Sequence, residues 1–447
     1  MRTSSVYRAR TGRTASAATL IALLAAVVLL AAACGGDPAT TPAPTATPAE
    51  QQQQAATDPA PTTEQTDSDT PTSEVPDATA QEPATEPEAT QDPSQPSPTP
   101  EPRAVADGPT APQLAGITGW INTEPFNLDE LRGQVVLIDF WTYTCVNCIR
   151  TLPFLKEWHD KYADLGLVIV GVHSPEFEFE KVMENVEAAA VDYGLKYPIV
   201  QDNDFQTWRA YNNRAWPAKY LIDRDGIVRY SHIGEGAYTE TEKRIRELLV
   251  ETGAKVYNIP VGGVVRPDRD PKATGGIETG QTRELYAGEY RNRGTTPYVG
   301  NIEYYSADVG APFLYQDPGD HRNHLLYLHG LWTKELENVT HARTTENLED
   351  YIGLRFNGTT VNVVINFEDG EPFKVVATLD DQPIPEGYGG ADIMHDENGM
   401  SYFLVDEPRM YRVVELPEYN GLELKLSSNS EDFSVFAFTF GSYVEGP

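Results

Sequence analysis

Two cysteines, Cys145 and Cys148, stand two residues apart in "WTYTCVNCIR" (141–150), directly after the apolar run "QVVLIDF" (134–140). That spacing serves three chemistries: a dithiol–disulfide redox couple, half of a zinc site, or a structural bridge. A structural zinc site takes four Cys or His ligands, often as two such pairs. Here there is one pair, and the next His downstream is His159. A permanent bridge across two residues closes a very small loop, so its entropic gain is small. The redox reading needs a nucleophilic thiol at a helix N-terminus, where free N–H groups and the positive dipole end favour a thiolate. It also needs a second, more buried thiol about one turn on. Cys145 suits the first role and Cys148 the second. Attack by Cys145 on a disulfide gives a mixed disulfide; Cys148 then attacks the Cys145 sulfur and releases the reduced substrate. No metal and no cofactor is expected beyond the redox-active Cys145–Cys148 disulfide itself.

The elements around the pair alternate. "QVVLIDF" is an unbroken apolar strand, as in a sheet buried on both faces. Ile149, Leu152, Leu155, Trp158 and Tyr162 recur at helical spacing over 147–162. "LGLVIVGVH" (165–173) is the next strand, and 178–194 reads as a single helix ended by Gly194. A short strand "YPIVQD" and a short helix "FQTWRAYN" follow. "AKYLIDRDGIVRYSHIG" (218–234) is a hairpin turning at Asp225-Gly226, and 239–250 closes as a helix. This order predicts an α/β domain over 113–253. After a Gly/Pro/Asp-rich connector (254–280) the chain becomes strand-like runs split by Asn-Gly, Asp-Gly and Pro, which predicts an all-β, jelly-roll-like sandwich over 281–447.

The N-terminal third differs. Arg2, Arg8, Arg10 and Arg13 precede an apolar run (17–33) and then Cys34-Gly35-Gly36. The pattern fits a signal peptide over 1–33; the run is also at the short end of membrane-spanning length. "LLAAAC" resembles the lipobox of bacterial lipoproteins, with Ala31 where Leu is usual, and implies lipidation of Cys34. Residues 34–112 form a Pro/Thr/Glu-rich tract with 14 acidic residues and one Arg. Such a tract buries too little to offset its ordering entropy and is expected to be a disordered spacer. The formal net charge of −33 argues against nucleic acid as a partner. The expected location is the extracytoplasmic face of the cell membrane, held by a lipid anchor.

Beyond these readings, "VVLIDFWTYTCVNCIRTLPFLKEW" resembles the active-site strand and helix of thioredoxin-like proteins, in their exported TlpA-like and redoxin branch, across about 113–252. The resemblance implies a thioredoxin fold. It puts Asp139, six residues before Cys145, at the position of the buried acid that relays protons to the resolving thiol. Pro153 matches the helix-kinking proline. "NRAWPAKYLID" resembles the segment with the cis-proline that faces the disulfide, so Trp216–Pro217 is the expected cis bond. Thr144 and Trp216 are then expected to line the substrate groove beside Cys145. Thr144 replaces a usual aromatic, and Thr151 stands where many relatives have Glu. "WTYTCVNCIRTLP", "GVHSPEFEFEK" and "YPIVQDND" further resemble the exported redoxin domain of DipZ-type proteins. Those often carry a fused CcdA-like membrane carrier and a following carbohydrate-binding-module-like β-domain, which "TRELYAGEYRN" and "VFAFTFG" resemble. The resemblance implies a thiol–disulfide oxidoreductase that reduces disulfides of exported proteins, with a separate CcdA-type membrane electron donor.

Several features are expected to be ordinary. His173 is expected to end a strand, with Glu176, Glu178 and Glu180 opening a solvated helix. His321, His324 and His329 are read as loop residues rather than ligands. Tyr304, Tyr305, Tyr327 and Trp332 are expected in the β-core, although stacking on a glycan would use the same residue types. Two functions compete with the redox reading: a surface glycan- or protein-binding lipoprotein with a non-catalytic disulfide, and a thiol peroxidase. The second has Thr142 three residues before Cys145 but lacks the usual proline, Ile138 standing in its place.

Overall fold

The computed structural model describes residues 108–265, 270–277, 279–368 and 370–443. The first half holds β1 (Gly119–Ile121), β2 (Val135–Trp141), α1 (Val146–Tyr162), β3 (Leu167–His173), α2 (Met183–Asp192), β4 (Ile199–Gln201), α3 (Gln206–Ala210), β5 (Ala218–Ile222), β6 (Val228–Ile233) and α4 (Tyr238–Glu251). The strands pair in the order β1-β4-β3-β2-β5-β6. β2 runs parallel to β3 and antiparallel to β5, and every residue of it is buried. A strand covered on both faces has no polar side, which is why "VVLIDFW" is a continuous apolar run. Leu137 and Trp141 pack toward Leu152, Leu155 and Trp158 of α1 and Ile245 and Leu249 of α4. Val136, Ile138 and Phe140 face the opposite layer with Val170, Val172 and Tyr220. The β5–β6 hairpin turns through Asp225-Gly226, with Gly226 at φ +79°, a conformation that suits glycine.

β1 has only three residues and no readable period in the sequence. One local expectation differs from the structure. Residues 178–194 are not one helix: a 3-10 turn (Glu178–Lys181) and α2 are separated at Val182, which is extended at φ −70°, ψ 122°. The reason is Glu180, whose side chain turns back to bond the loop before it.

The second half is all-β apart from short turns: β7 (Leu285–Tyr286), β8 (Pro312–Tyr315), β9 (Leu326–Lys334), β10 (Val339–His341), β11 (Tyr351–Ile365), β12 (Phe373–Leu379), β13 (Gln382–Pro383), β14 (Met394–His395), β15 (Ser401–Val405), β16 (Arg409–Ser427) and β17 (Ser434–Gly441). The first half of β11 pairs with β9 and its second half with β17. That switch folds the sheet over a core that includes Trp332, Phe356, Tyr411 and Phe438. The Asn-Gly steps at 357–358 and 420–421, read from sequence as breaks, lie opposite each other inside two long strands: Asn357 pairs with Gly421 and Gly358 with Asn420. The register slips just after them, so the dipeptides mark a bulge rather than a turn.

Candidate active site

Cys145 is the N-cap of α1, with extended backbone (φ −76°, ψ 112°), and its Sγ accepts the N–H of Cys148 at 3.3 Å. β2 delivers the chain to this point and the helix starts at once, so the open N–H groups of the first turn face the sulfur. Cys145 is half-buried, Cys148 is buried, and both are free thiols. Burial, then the bond and charge of Cys145, push the Cys148 thiol well above its ordinary range; Asp139 adds to this.

Asp139 lies on β2 and is buried, with Oδ1 left without a hydrogen-bond partner. Burial lifts its carboxyl from 3.8 to about 7, against the opposing pull of Lys219. Its neighbour on β3 is Gly171. A Cβ there would meet Trp141 Nε1 at 3.0 Å and the Tyr197 ring at 3.2 Å, closer than ordinary contact. On the other side, Asp139 is in register with Lys219 of β5. Lys219 was not singled out from the sequence; the only available signal was a lysine inside the apolar strand "AKYLI".

Trp216–Pro217 is a cis peptide bond and Pro217 is buried. Trp216 Nε1 donates to the carbonyl of Ser174 at 3.0 Å, and its ring lies 4.5 Å from that of Trp208. Thr144 is buried, and its hydroxyl turns inward to donate to Glu180 Oε1 at 2.5 Å. Thr151 donates to the Asn147 carbonyl at 3.0 Å and meets Tyr238 Oη at 3.2 Å.

The segment "HSPEFEFEK" is not a solvated helix start. His173 and Glu180 are fully buried; Glu178 alone of the three acids is open to solvent. Glu180 Oε2 accepts the backbone N–H groups of Glu176 and Phe177. A buried carboxyl with its oxygens satisfied by a hydroxyl and two amides is tolerated where a bare one is not. His173 Nε2 meets Thr142 Oγ1 at 3.3 Å, and burial lowers its ring from 6.5 to about 3, so the imidazole is neutral.

The β-half forms one wall of the site. A slot of about 60 Å³ is lined by Cys145, Glu176 and Trp216 on one side and Glu284, Tyr286 and Thr439 on the other. That is about the room of two waters. Tyr286 donates to Glu176 Oε1 at 3.0 Å, and Arg291 pairs with the same oxygen at 2.7 Å. Phe436 sets its ring edge-on to Phe177 and Phe179, at 5.2 and 4.9 Å.

Elsewhere in the β-half, Tyr304, Tyr327 and Trp332 are core residues, while Tyr305 is exposed. His321 is stacked on Tyr327 and paired with Asp317 at 2.7 Å; His329 is stacked on Tyr351. His324 Nδ1 accepts the backbone N–H of Arg283 at 3.1 Å. Cys34 lies outside the described residues, as does most of the tract from 34 to 112.

Comparison with known proteins accords with this geometry. Residues 108–231 match the AhpC/TSA family, and residues 282–441 match a family described as the thioredoxin-like C-terminal domain. Thiol-disulfide oxidoreductase YkuV of Bacillus subtilis is 31% identical over 141 residues, which is 32% of this chain and 95% of that protein. Thiol-disulfide oxidoreductase ResA of Geobacillus kaustophilus is 30% identical over 147 residues, 79% of its length. The chain belongs to the thioredoxin-like thiol–disulfide oxidoreductases. Within that family it is also a homologue of protein DipZ of Mycobacterium bovis, 34% identical over 335 residues, which are 74% of this chain. The alignment spans 43% of the length of DipZ. The chain carries its close cysteine pair, Cys145 and Cys148, at the start of α1.

Proposed function

We propose that this chain is an extracytoplasmic, membrane-anchored thiol–disulfide oxidoreductase that reduces disulfides of exported proteins. The observation that carries the reading is Cys145 at the N-cap of α1, its sulfur bonded by the Cys148 amide, above buried Asp139 and in one slot with Trp216. Cys145 attacks the substrate disulfide and expels one thiolate. Asp139 takes the proton of Cys148, whose thiolate then displaces the second substrate sulfur. The resulting Cys145–Cys148 disulfide is re-reduced by a CcdA-type membrane carrier. The charged start and apolar run before Cys34 support export and lipid anchoring.

The test is insulin reduction by the purified chain with dithiothreitol as electron source. Turnover is expected from the wild type and background from Cys145→Ser; equal rates from the two would end the assignment. Fatty-acid labelling of cells that express the chain, lost in Cys34→Ala, tests the anchor separately.

A further inference from the structure

Tyr286 of β7 places its hydroxyl 3.0 Å from a carboxyl oxygen of Glu176 and 3.0 Å from one of Glu284. A phenol has one proton to give, so it can donate to only one of them. Both contacts are hydrogen bonds only when one carboxyl carries a proton and donates it to the phenol oxygen. The three groups together therefore store one proton between two acids. Arg291, on the short helical turn Glu289–Asn292, holds the arrangement: it pairs with Glu176 at 2.7 Å and lies over the Tyr286 ring at 4.5 Å. Glu176, Tyr286 and Glu284 all line the slot of about 60 Å³ that Cys145 and Trp216 also line. Burial lifts the Glu176 carboxyl from 4.5 to about 8; Arg291 opposes the shift, and Glu180 and Glu284 add to it. The Glu176 side chain keeps 12% of its exposure, which leaves a path to solvent.

We propose that the Glu176–Tyr286–Glu284 group is the general acid of the exchange: it protonates the substrate sulfur as that sulfur leaves Cys145. The inference rests on the oxidoreductase reading of the site, and it makes the β-half, which supplies Glu284, Tyr286 and Arg291, a contributor to the chemistry. In the mixed disulfide, the Cys148 thiolate attacks Cys145 Sγ. The bond between Cys145 and the substrate sulfur breaks, and its electron pair goes to that sulfur. The stored proton passes to it, so the substrate leaves as a thiol. The two carboxyls are then both ionised, and one takes a proton back from solvent. Two electrons have passed from the cysteine pair to the substrate. A general acid works best when its pKa lies near the working pH, and an alkyl thiol of pKa about 8.5 is well matched to such a donor.

The experiment follows the full chain, reduced, in single turnover with two uncharged disulfides. Hydroxyethyl disulfide releases an alkyl thiolate, a strong base that gains from a proton. Dithiodipyridine releases an aromatic thiolate, a weak base that leaves without one. Acid quench and mass spectrometry give the lifetime of the mixed disulfide on Cys145. Glu284→Gln keeps a donor for the Tyr286 oxygen but has no proton to release. It should slow resolution of the alkyl mixed disulfide about tenfold more than that of the aromatic one. That is less than general acids usually contribute, because a thiolate is already a fair leaving group. In the wild type the alkyl-to-aromatic rate ratio should fall as pH rises through about 8, where the stored proton is lost; in the variant the ratio should be flat. Equal slowing with both disulfides, or a wild-type ratio that does not change with pH, overturns the proposal. Glu176→Gln serves if the Glu284 variant does not fold. A wild type that reduces neither disulfide would instead overturn the oxidoreductase reading.

Discussion

Thr144 and Glu180, thirty-six residues apart in sequence, are joined by a 2.5 Å hydrogen bond between two fully buried side chains. The bond ties the residue just before Cys145 to the loop that also carries Glu176 and Phe177. Thr144→Val keeps the volume but leaves Glu180 one donor short. The expected cost is ~1–3 kcal/mol in urea unfolding, with Cys145 alkylated faster because its backbone is less firmly held. No change in either would show that the bond carries no load.

Asp139 sets a pH dependence whose sign follows from its burial. Its carboxyl is held near 7 in the fold against 3.8 in the open chain. Between those values the folded protein keeps a proton that the unfolded chain has lost. Stability from the protonated acid is therefore full below about pH 4 and is lost as pH rises through 7. Asp139→Asn cannot ionise. It should be more stable than the wild type at pH 8, by up to ~4 kcal/mol, while resolving the mixed disulfide about a hundredfold more slowly. Urea unfolding at pH 5 and pH 8 checks the first claim and rapid kinetics the second.

Cys148 is buried and its thiol is pushed up, whereas Cys145 reaches the slot. Cys148→Ala should therefore trap a covalent Cys145–substrate disulfide that mass spectrometry detects. Cys145→Ser should trap none. Trapping through Cys148 in the second variant would reverse the two roles.

Phe436 of β17 packs edge-on against both Phe177 and Phe179. Phe436→Ala should cost ~3–5 kcal/mol by calorimetry. It should also loosen Phe177, which lines the slot, giving faster reaction of Cys145 with iodoacetamide. A lower melting temperature with unchanged reactivity would mean that the β-wall does not limit access.

The local pattern of the sequence determined the redox element. An apolar strand running into Cys-x-x-Cys at a helix start needs no distant information, because the strand, the cap and the spacing of the two thiols lie within one short stretch. The hairpin at Asp225-Gly226 and the long amphipathic α1 were legible for the same reason. Asp139 and Pro217 became legible through family resemblance. Tertiary structure alone decided what stands around that element. Glu180 reads as a surface residue because its partners, Thr144 and two loop amides, become visible only when the loop folds back. The Asn-Gly steps of β11 and β16 read as turns because each looks like a break until the other lies opposite it. Lys219 is not singled out by the sequence because its register with Asp139 is set by pairing between strands about eighty residues apart. The wall made by Glu284, Tyr286 and Thr439 depends on how the two halves pack, and no periodicity within either half encodes that contact.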